Sequence, residues 1–352
     1  GRSTDMKKTI LTNICLFMVL TLGIIGVSWG DTLQKGMYAN GQGVPQDDKA
    51  AVKWYTLAAE QGDAAAQFEL GFMYASGQGV PQDYKAAVKW YTLAADQGDA
   101  LAQYSLGVMY ANGQGVTQDY KVAVKWYTLA ADQGDALAQY SLGVMYANGQ
   151  GLPRDDKAAV KWHTLAAEQG FVFAQYSLGV MYRNGIGVPK DYKAAVKWYT
   201  LAAEQGDARA QFELGVRYIA GEGVLKDYKA VAKWHTLAAE QGDARAQYSL
   251  GVMYANGQGL PRDDKAAVKW YKLAAEQGNS DAQYNLGFMY NDGLGALKDS
   301  VYAYMWWNLS AASGHKDAAK NRDVVAKQMT QSQIEKAQEL SRECLRKTYK
   351  NC

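Results

Sequence analysis

Tryptophan recurs at Trp54, Trp90, Trp126, Trp162, Trp198, Trp234, Trp270 and Trp306, and every interval is 36 residues. A fixed period of roughly 20–50 residues restricts a chain to a stack of small supersecondary modules, because each module can bury its apolar face only against its neighbours. The repetition extends well beyond tryptophan. Each period carries a version of Tyr91-Thr92-Leu93-Ala94-Ala95, then Gly98-Asp99-Ala100, Ala102-Gln103-Tyr104, Leu106-Gly107, Met109-Tyr110 and Gly113-Gln114-Gly115. The high glycine and tyrosine content of the chain, 36 Gly and 25 Tyr in 352 residues, is spent largely on this pattern.

Two helices are legible in each period. Asp83, two residues after Pro81, is a helix cap, and the spacing predicts a helix through Trp90 that stops at Gln97-Gly98. At 100° per residue Lys85, Lys89, Thr92 and Asp96 share one narrow sector, with Ala87, Trp90, Tyr91 and Ala94 opposite. Asp99 caps a second helix whose inner sector is Ala102, Gln103, Leu106, Gly107, Met109 and Tyr110, ending at Gly113-Gln114-Gly115. A mid-helix glycine costs about 1 kcal/mol against alanine. Its return at Gly71, Gly107, Gly143, Gly179, Gly215, Gly251 and Gly287 therefore predicts a close approach there by a neighbouring helix or a tryptophan. The invariant tryptophans are assigned to the core, since a sugar-binding platform would need them exposed.

The run Ala-Gln-Tyr-Ser-Leu-Gly-Val-Met-Tyr-Ala-Asn-Gly-Gln-Gly, complete at 102–115 and 138–151, and Asp-Tyr-Lys-Ala-Ala-Val-Lys-Trp-Tyr at 191–199 resemble the Sel1-like repeats, a branch of the tetratricopeptide-like proteins. The resemblance covers about residues 33–312. It implies an all-α, right-handed α-solenoid of about seven and a half helix-turn-helix repeats over 31–312, and an adaptor that holds other proteins. In bacteria such adaptors are often exported. A cysteine-rich branch is linked to cell-wall peptides, but no cysteine lies within these repeats and that association is not carried over.

The ends depart from the pattern. Gly1 to Asp5 reads as a cloning remnant ahead of Met6. Lys7 and Lys8 precede the uncharged run Ile10 to Val27, which reads as an export signal over residues 1–30, either cleaved near Ser28 and Gly30 or kept as a membrane anchor. The expected location is therefore periplasmic or secreted, with inner-membrane anchoring as the alternative and this segment as the only membrane contact. The first repeat has only a second helix, Asp31 to Asn40. In the region 313–352, Thr330 and Gln333 form a capping box for a final helix to about Arg346, which covers the last apolar face. Cys344 and Cys352 follow, an even pair in an oxidising compartment, read as a disulfide with two free thiols as the alternative.

Little in the sequence points to catalysis. His163 and His235 replace the tyrosine of the column Tyr55, Tyr91, Tyr127, Tyr199 and Tyr271, two repeats apart, and read as packed histidines; His315 stands alone in a turn. Ser105, Ser141, Ser177 and Ser249 read as surface serines with no histidine in reach. The acids sit at caps or on exposed faces, and the Gly-x-Gly turns lack the strand and Lys-Ser/Thr of a phosphate loop. No cofactor and no metal are expected. With Arg2, Lys7, Lys8 and Asp5 set aside, the 37 basic and 35 acidic residues balance, which argues against nucleic acid as partner.

Two surfaces remain for a protein partner. The first helices carry a lysine ladder that includes Lys85, Lys89, Lys121, Lys125, Lys157, Lys161, Lys193 and Lys197, placed on the concave side by the family resemblance and read either as a basic track or as a solvated face. The second surface is the most variable column, Ala65, Leu101, Leu137, Phe173, Arg209, Arg245 and Asp281, sharing its sector with Glu69, Ser105, Ser141, Ser177, Glu213, Ser249 and Asn285 and expected to face solvent. Phe171 also stands there in place of a capping Asp. Leu101, Leu137, Phe171, Phe173, Arg209 and Arg245 have the make-up of an interface anchor, with drift in a redundant array as the alternative. The function expected is a non-catalytic exported scaffold; the alternative is a cell-wall glycan or peptidoglycan binder using the concave face.

Overall fold

The structure, a computed structural model, describes residues 47–350 and Cys352. The expected export signal and the half-repeat helix Asp31 to Asn40 lie outside the described residues. Within them the chain is all helical, with seventeen helices: α1 Asp48–Glu60, α2 Ala64–Ser76, α3 Tyr84–Asp96, α4 Ala100–Asn112, α5 Tyr120–Asp132, α6 Ala136–Asn148, α7 Asp156–Glu168, α8 Val172–Asn184, α9 Tyr192–Glu204, α10 Ala208–Ala220, α11 Tyr228–Glu240, α12 Ala244–Asn256, α13 Asp264–Ala275, α14 Ser280–Asp292, α15 Ser300–Ala312, α16 Lys316–Ala326 and α17 Gln331–Arg346. They form two compact units that part between Ala130 and Ala131.

In the first compact unit the helix ends follow the caps. Asp83 accepts hydrogen bonds from the Lys85 and Ala86 amides at 2.9 and 3.1 Å, and Asp99 accepts from Ala102 at 2.7 Å. The second helix stops at Gly113, which has a left-handed φ of 68° and returns its N–H to the Met109 carbonyl. The closest helix packing joins a second helix to the next first helix. A Cβ on Gly107 would lie 2.5 Å from ring carbons of Tyr127, so the bare backbone is what lets that ring lie flat on α4. The visitor is thus a tyrosine of the neighbouring helix, the first of the two alternatives the sequence offered, and not the tryptophan beside it. Tyr91 and Tyr127 are buried while Trp90 and Trp126 are half-buried and Trp54 is 42% exposed. Trp90 rests on Ala59, Ala66 and Leu70 at the edge of the preceding core. Tryptophan here seals a seam rather than filling the interior.

Gly115 ends the turn after α4 with φ 73°, and a Cβ there would lie 2.3 Å from the Tyr84 carbonyl oxygen. Gly115→Ala is expected to cost about 1–3 kcal/mol from strain and overpacking. Gly98→Ala shares the positive φ but has open space around it, so it should cost less. Urea denaturation of the two variants checks this; equal losses would mean the carbonyl contact is immaterial.

The second compact unit repeats the scheme and ends differently. On α15, Trp307 takes the tyrosine column: it lies against Gly287 and donates its indole N–H to the Tyr284 carbonyl at 3.1 Å. Trp306 is 1% exposed. Helix α17 starts in the Thr330 and Gln333 capping box and packs on α15, bringing Ala337 into the core cluster that holds Trp307 and Cys344 into the one that holds Met305, Trp306 and Leu309. Cys344 and Cys352 are joined as a disulfide with Cα atoms 5.3 Å apart. No described helix is long and apolar enough to cross a membrane.

Candidate functional site

On the second compact unit the variable column becomes a row of stacked rings and guanidinium groups. At Phe171 the second helix α8 has lost its capping aspartate and makes no side-chain cap bond. Its ring lies 5.1 Å from Tyr140 and 5.5 Å from Phe173, centroid to centroid. Phe173 is 44% exposed. Arg209 lies over Phe173 at 5.4 Å and over Tyr176 at 4.3 Å, and Arg245 lies over Phe212 at 4.2 Å. Each arginine is held by its own cap: Arg209 donates to Asp207 at 2.6 Å and Arg245 to Asp243 at 2.7 Å. The Asp neutralises the guanidinium and fixes its plane, leaving a flat, pre-ordered surface of Tyr, Phe and Arg. Such residues dominate the energetics of protein interfaces, where rigid groups lose little entropy on binding.

Several expectations from the sequence are corrected. Leu101 and Leu137 are half-buried on their own repeats, so the exposed apolar row reduces to Phe173. The sector of Glu69, Ser105, Ser141, Ser177, Glu213, Ser249 and Asn285 does not face solvent; its members are half-buried or, for Glu213, buried, and in the second compact unit the sector meets earlier helices, Glu213 pairing with Arg183 and Ser249 with His235. Ser249 is not a surface serine away from histidine: its hydroxyl lies 2.7 Å from His235 Nδ1. The other ring nitrogen faces the Phe212 carbonyl at 3.2 Å, so no carboxylate orients the imidazole, and burial pushes its pKa down to about 4. The pair fastens a joint and offers no base poised near neutral pH. His315 is not alone in its turn. It caps α16 by accepting from Ala318, stacks on Tyr284 at 4.2 Å and stands 3.7 Å from Asp281.

The lysine ladder is exposed, yet half of it is engaged. Lys89, Lys125, Lys161 and Lys197 place their ammonium groups 5.2, 5.8, 5.2 and 5.3 Å from the ring of the tryptophan that follows each. Lys85, Lys121, Lys157 and Lys193 stand exposed one turn earlier.

A buried charge cluster went unread in the sequence. Arg183 donates to Glu213 at 2.6 Å; Arg217, 7% exposed, lies 4.0 Å from Glu213 and also pairs with Glu222. The signal was present in the columns: Arg183 stands where Ala75, Ala111, Ala147 and Ala255 stand, and Arg217 replaces Met73, Met109, Met145, Met181, Met253 and Met289.

Helix pairs at this period, closed on a glycine by an aromatic ring, match the Sel1 repeat over residues 36–63, 64–99, 100–135, 136–171, 172–207, 208–243, 244–279 and 280–315. The chain belongs to the Sel1 repeat family. From residue 64 on, each matched Sel1 repeat spans a second helix and the following first helix, the pair that packs across the glycine, and the first match, 36–63, is shorter than the 36-residue period. Among solved Sel1 repeat structures, one from Oxalobacter formigenes is 36% identical, with 82% of this chain and 84% of that chain covered and a TM-score of 0.62. A protective antigen of uropathogenic Escherichia coli strains displaying an SLR fold is 32% identical, covering 91% of this chain and 85% of its own, with a TM-score of 0.54. No curated protein matches the chain. Sel1 repeat proteins are generally scaffolds for protein interaction rather than catalysts.

Proposed function

We propose that this Sel1 repeat protein is an exported, non-catalytic scaffold that captures a protein partner on the Phe173, Arg209, Phe212 and Arg245 face of α8, α10 and α12. The observation that carries the reading is Phe173: a large ring left 44% exposed beneath Arg209, in a helix that gave up its capping Asp to Phe171. Loss of such a cap costs about 1 kcal/mol, and rigid exposed aromatics flanked by pinned arginines are what a binding surface gains in exchange. Export rests on the basic pair and apolar run ahead of the repeats.

Crosslinking in the intact cell envelope followed by mass spectrometry would identify the partner. Phe173→Ala and Arg245→Ala are then expected to weaken its capture by about 10–30-fold each, the loss of an interface anchor, with helicity unchanged. Undiminished capture by both variants would exclude this face as the docking surface.

A further inference from the structure

Three first helices of the second compact unit carry their surface charges in the order a helix disfavours. In α9 Lys193 stands in the first turn, Lys197 in the second and Glu204 at the last position; α7 repeats this with Lys157, Lys161 and Glu168, and α11 with Lys229, Lys233 and Glu240. A helix prefers acids at its start and bases at its end, by about 0.3–1 kcal/mol per charge. Only α7 adds an acid in its first turn, Asp156, and that group is paired with Arg154. The lysines and glutamates named are all exposed and form no ion pair among the described residues. The array cannot neutralise them by itself. Lys197 and Glu204 are about 10 Å apart along the helix axis, and since every first helix runs the same way, lysine lies beside lysine and glutamate beside glutamate from one repeat to the next. In α13 the pattern ends, because Lys272 reaches Glu276 at 3.7 Å. Between the two charged tracks runs an apolar one. Leu165, Leu201 and Leu237 are 36%, 37% and 38% exposed. No two first helices approach each other as closely as the second helices α12 and α14 do, so within this unit the first helices stand on the wider, more open side of the stack.

We propose that this face of α7, α9 and α11 binds a second copy of the chain, related to the first by a two-fold axis along the line of repeats. Such an axis reverses the helix direction across the interface. The glutamate end of each first helix then lies on the lysine end of its counterpart, and the leucine track packs on the leucine track. A two-fold axis parallel to the helices would set lysine on lysine instead. Any other occupant would need an acidic, an apolar and a basic track side by side at the same spacing in reverse order, and the chain itself already carries them. Charges held against the helix dipole in three successive repeats are accounted for by the neutralisation they gain across the axis. The dimer does not rest on the Phe173 surface, which belongs to the second helices.

Sedimentation velocity of the full-length protein tests this without any partner. A dimer is expected at low salt, with a dissociation constant that rises about 10-fold or more between about 30 and 300 mM salt. One triple variant, Glu168→Lys, Glu204→Lys and Glu240→Lys, and a second, Lys157→Glu, Lys193→Glu and Lys229→Glu, each set like charges on one another across the axis. Each should weaken dimerisation by at least about 10-fold. Both place charge where the helix dipole prefers it, so neither should lower the unfolding temperature. Mixed in equal amounts, the two variants are complementary at both ends and should form a heterodimer about as tight as the wild-type homodimer. A wild type that stays monomeric at low salt and about 0.1 mM protein, either variant dimerising like the wild type, or a mixture that stays monomeric would each overturn the proposal.

Discussion

Acidification from pH 7 to pH 5 is expected to remove about 4 kcal/mol of stability from the second compact unit, through two histidines. His163 and His235 are 3% and 0% exposed, and burial holds both at a pKa of about 4 against an ordinary 6.5. The folded state thus takes up its protons later than the unfolded chain. Stability is complete above about pH 6.5 and falls as pH drops toward 4, by about 2 kcal/mol per histidine at pH 5 and about 3 at pH 4. Burial raises the carboxyl pKa of Asp135, an effect of opposite sign, so the comparison with a variant lacking both histidines is what isolates the imidazoles. Urea denaturation at pH 7, 6 and 5 measures the slope. With both histidines replaced by the tyrosine of the column, the slope should flatten; an unchanged slope would assign the acid sensitivity to other groups.

Glu213→Ala is expected to destabilise the same compact unit by about 3 kcal/mol, because it strips a buried cluster of the anion that Arg183 and Arg217 share. Removing the whole cluster should do less harm than removing one member. The triple variant Arg183→Ala, Glu213→Ser, Arg217→Met installs residues already used by adjacent repeats, and apolar packing in place of a buried ion network is often neutral or stabilising by about 1–4 kcal/mol. Thermal and urea unfolding of the single and triple variants decide the matter. A triple variant less stable than Glu213→Ala would show that the ions contribute net stability.

Helix starts and stops were legible because they depend on one residue and its own backbone: Asp83, Asp99, Gly113 and Thr330 act within four residues of themselves. The glycine column was legible as a close approach, but not which ring approaches. Trp90 and Tyr91 are 100° apart on the same apolar sector, and only the position of α2 decides that Tyr91 lies on Gly71 while Trp90 falls at the rim. The candidate site was half legible. Phe171, Phe173, Arg209 and Arg245 stood out by departing from their columns, and the structure gathers them with Tyr140, Tyr176 and Phe212. The pairs that cross a joint were not legible. Arg183 and Glu213 lie thirty residues apart and His235 and Ser249 fourteen, so no local spacing marks either pair.

The buried glutamines bear on how such a chain can change length. Gln67 donates to the Ala59 carbonyl and accepts from Gln97, and the same amide relay returns at Gln139 with Gln169, Gln175 with Gln205, Gln211 with Gln241 and Gln247 with Gln277. Since the donor and acceptor are alike at each of these joints, unequal crossing-over that drops or duplicates one whole period in the gene rejoins ends that already fit. Recombination can therefore lengthen or shorten the protein without inventing a new interface. The joint between α8 and α10 is the exception, since Arg183 finds Glu213 only there. Copies exchanged across that joint would leave the half-buried Arg183 facing a serine, so the repeats on its two sides fit best in their present order.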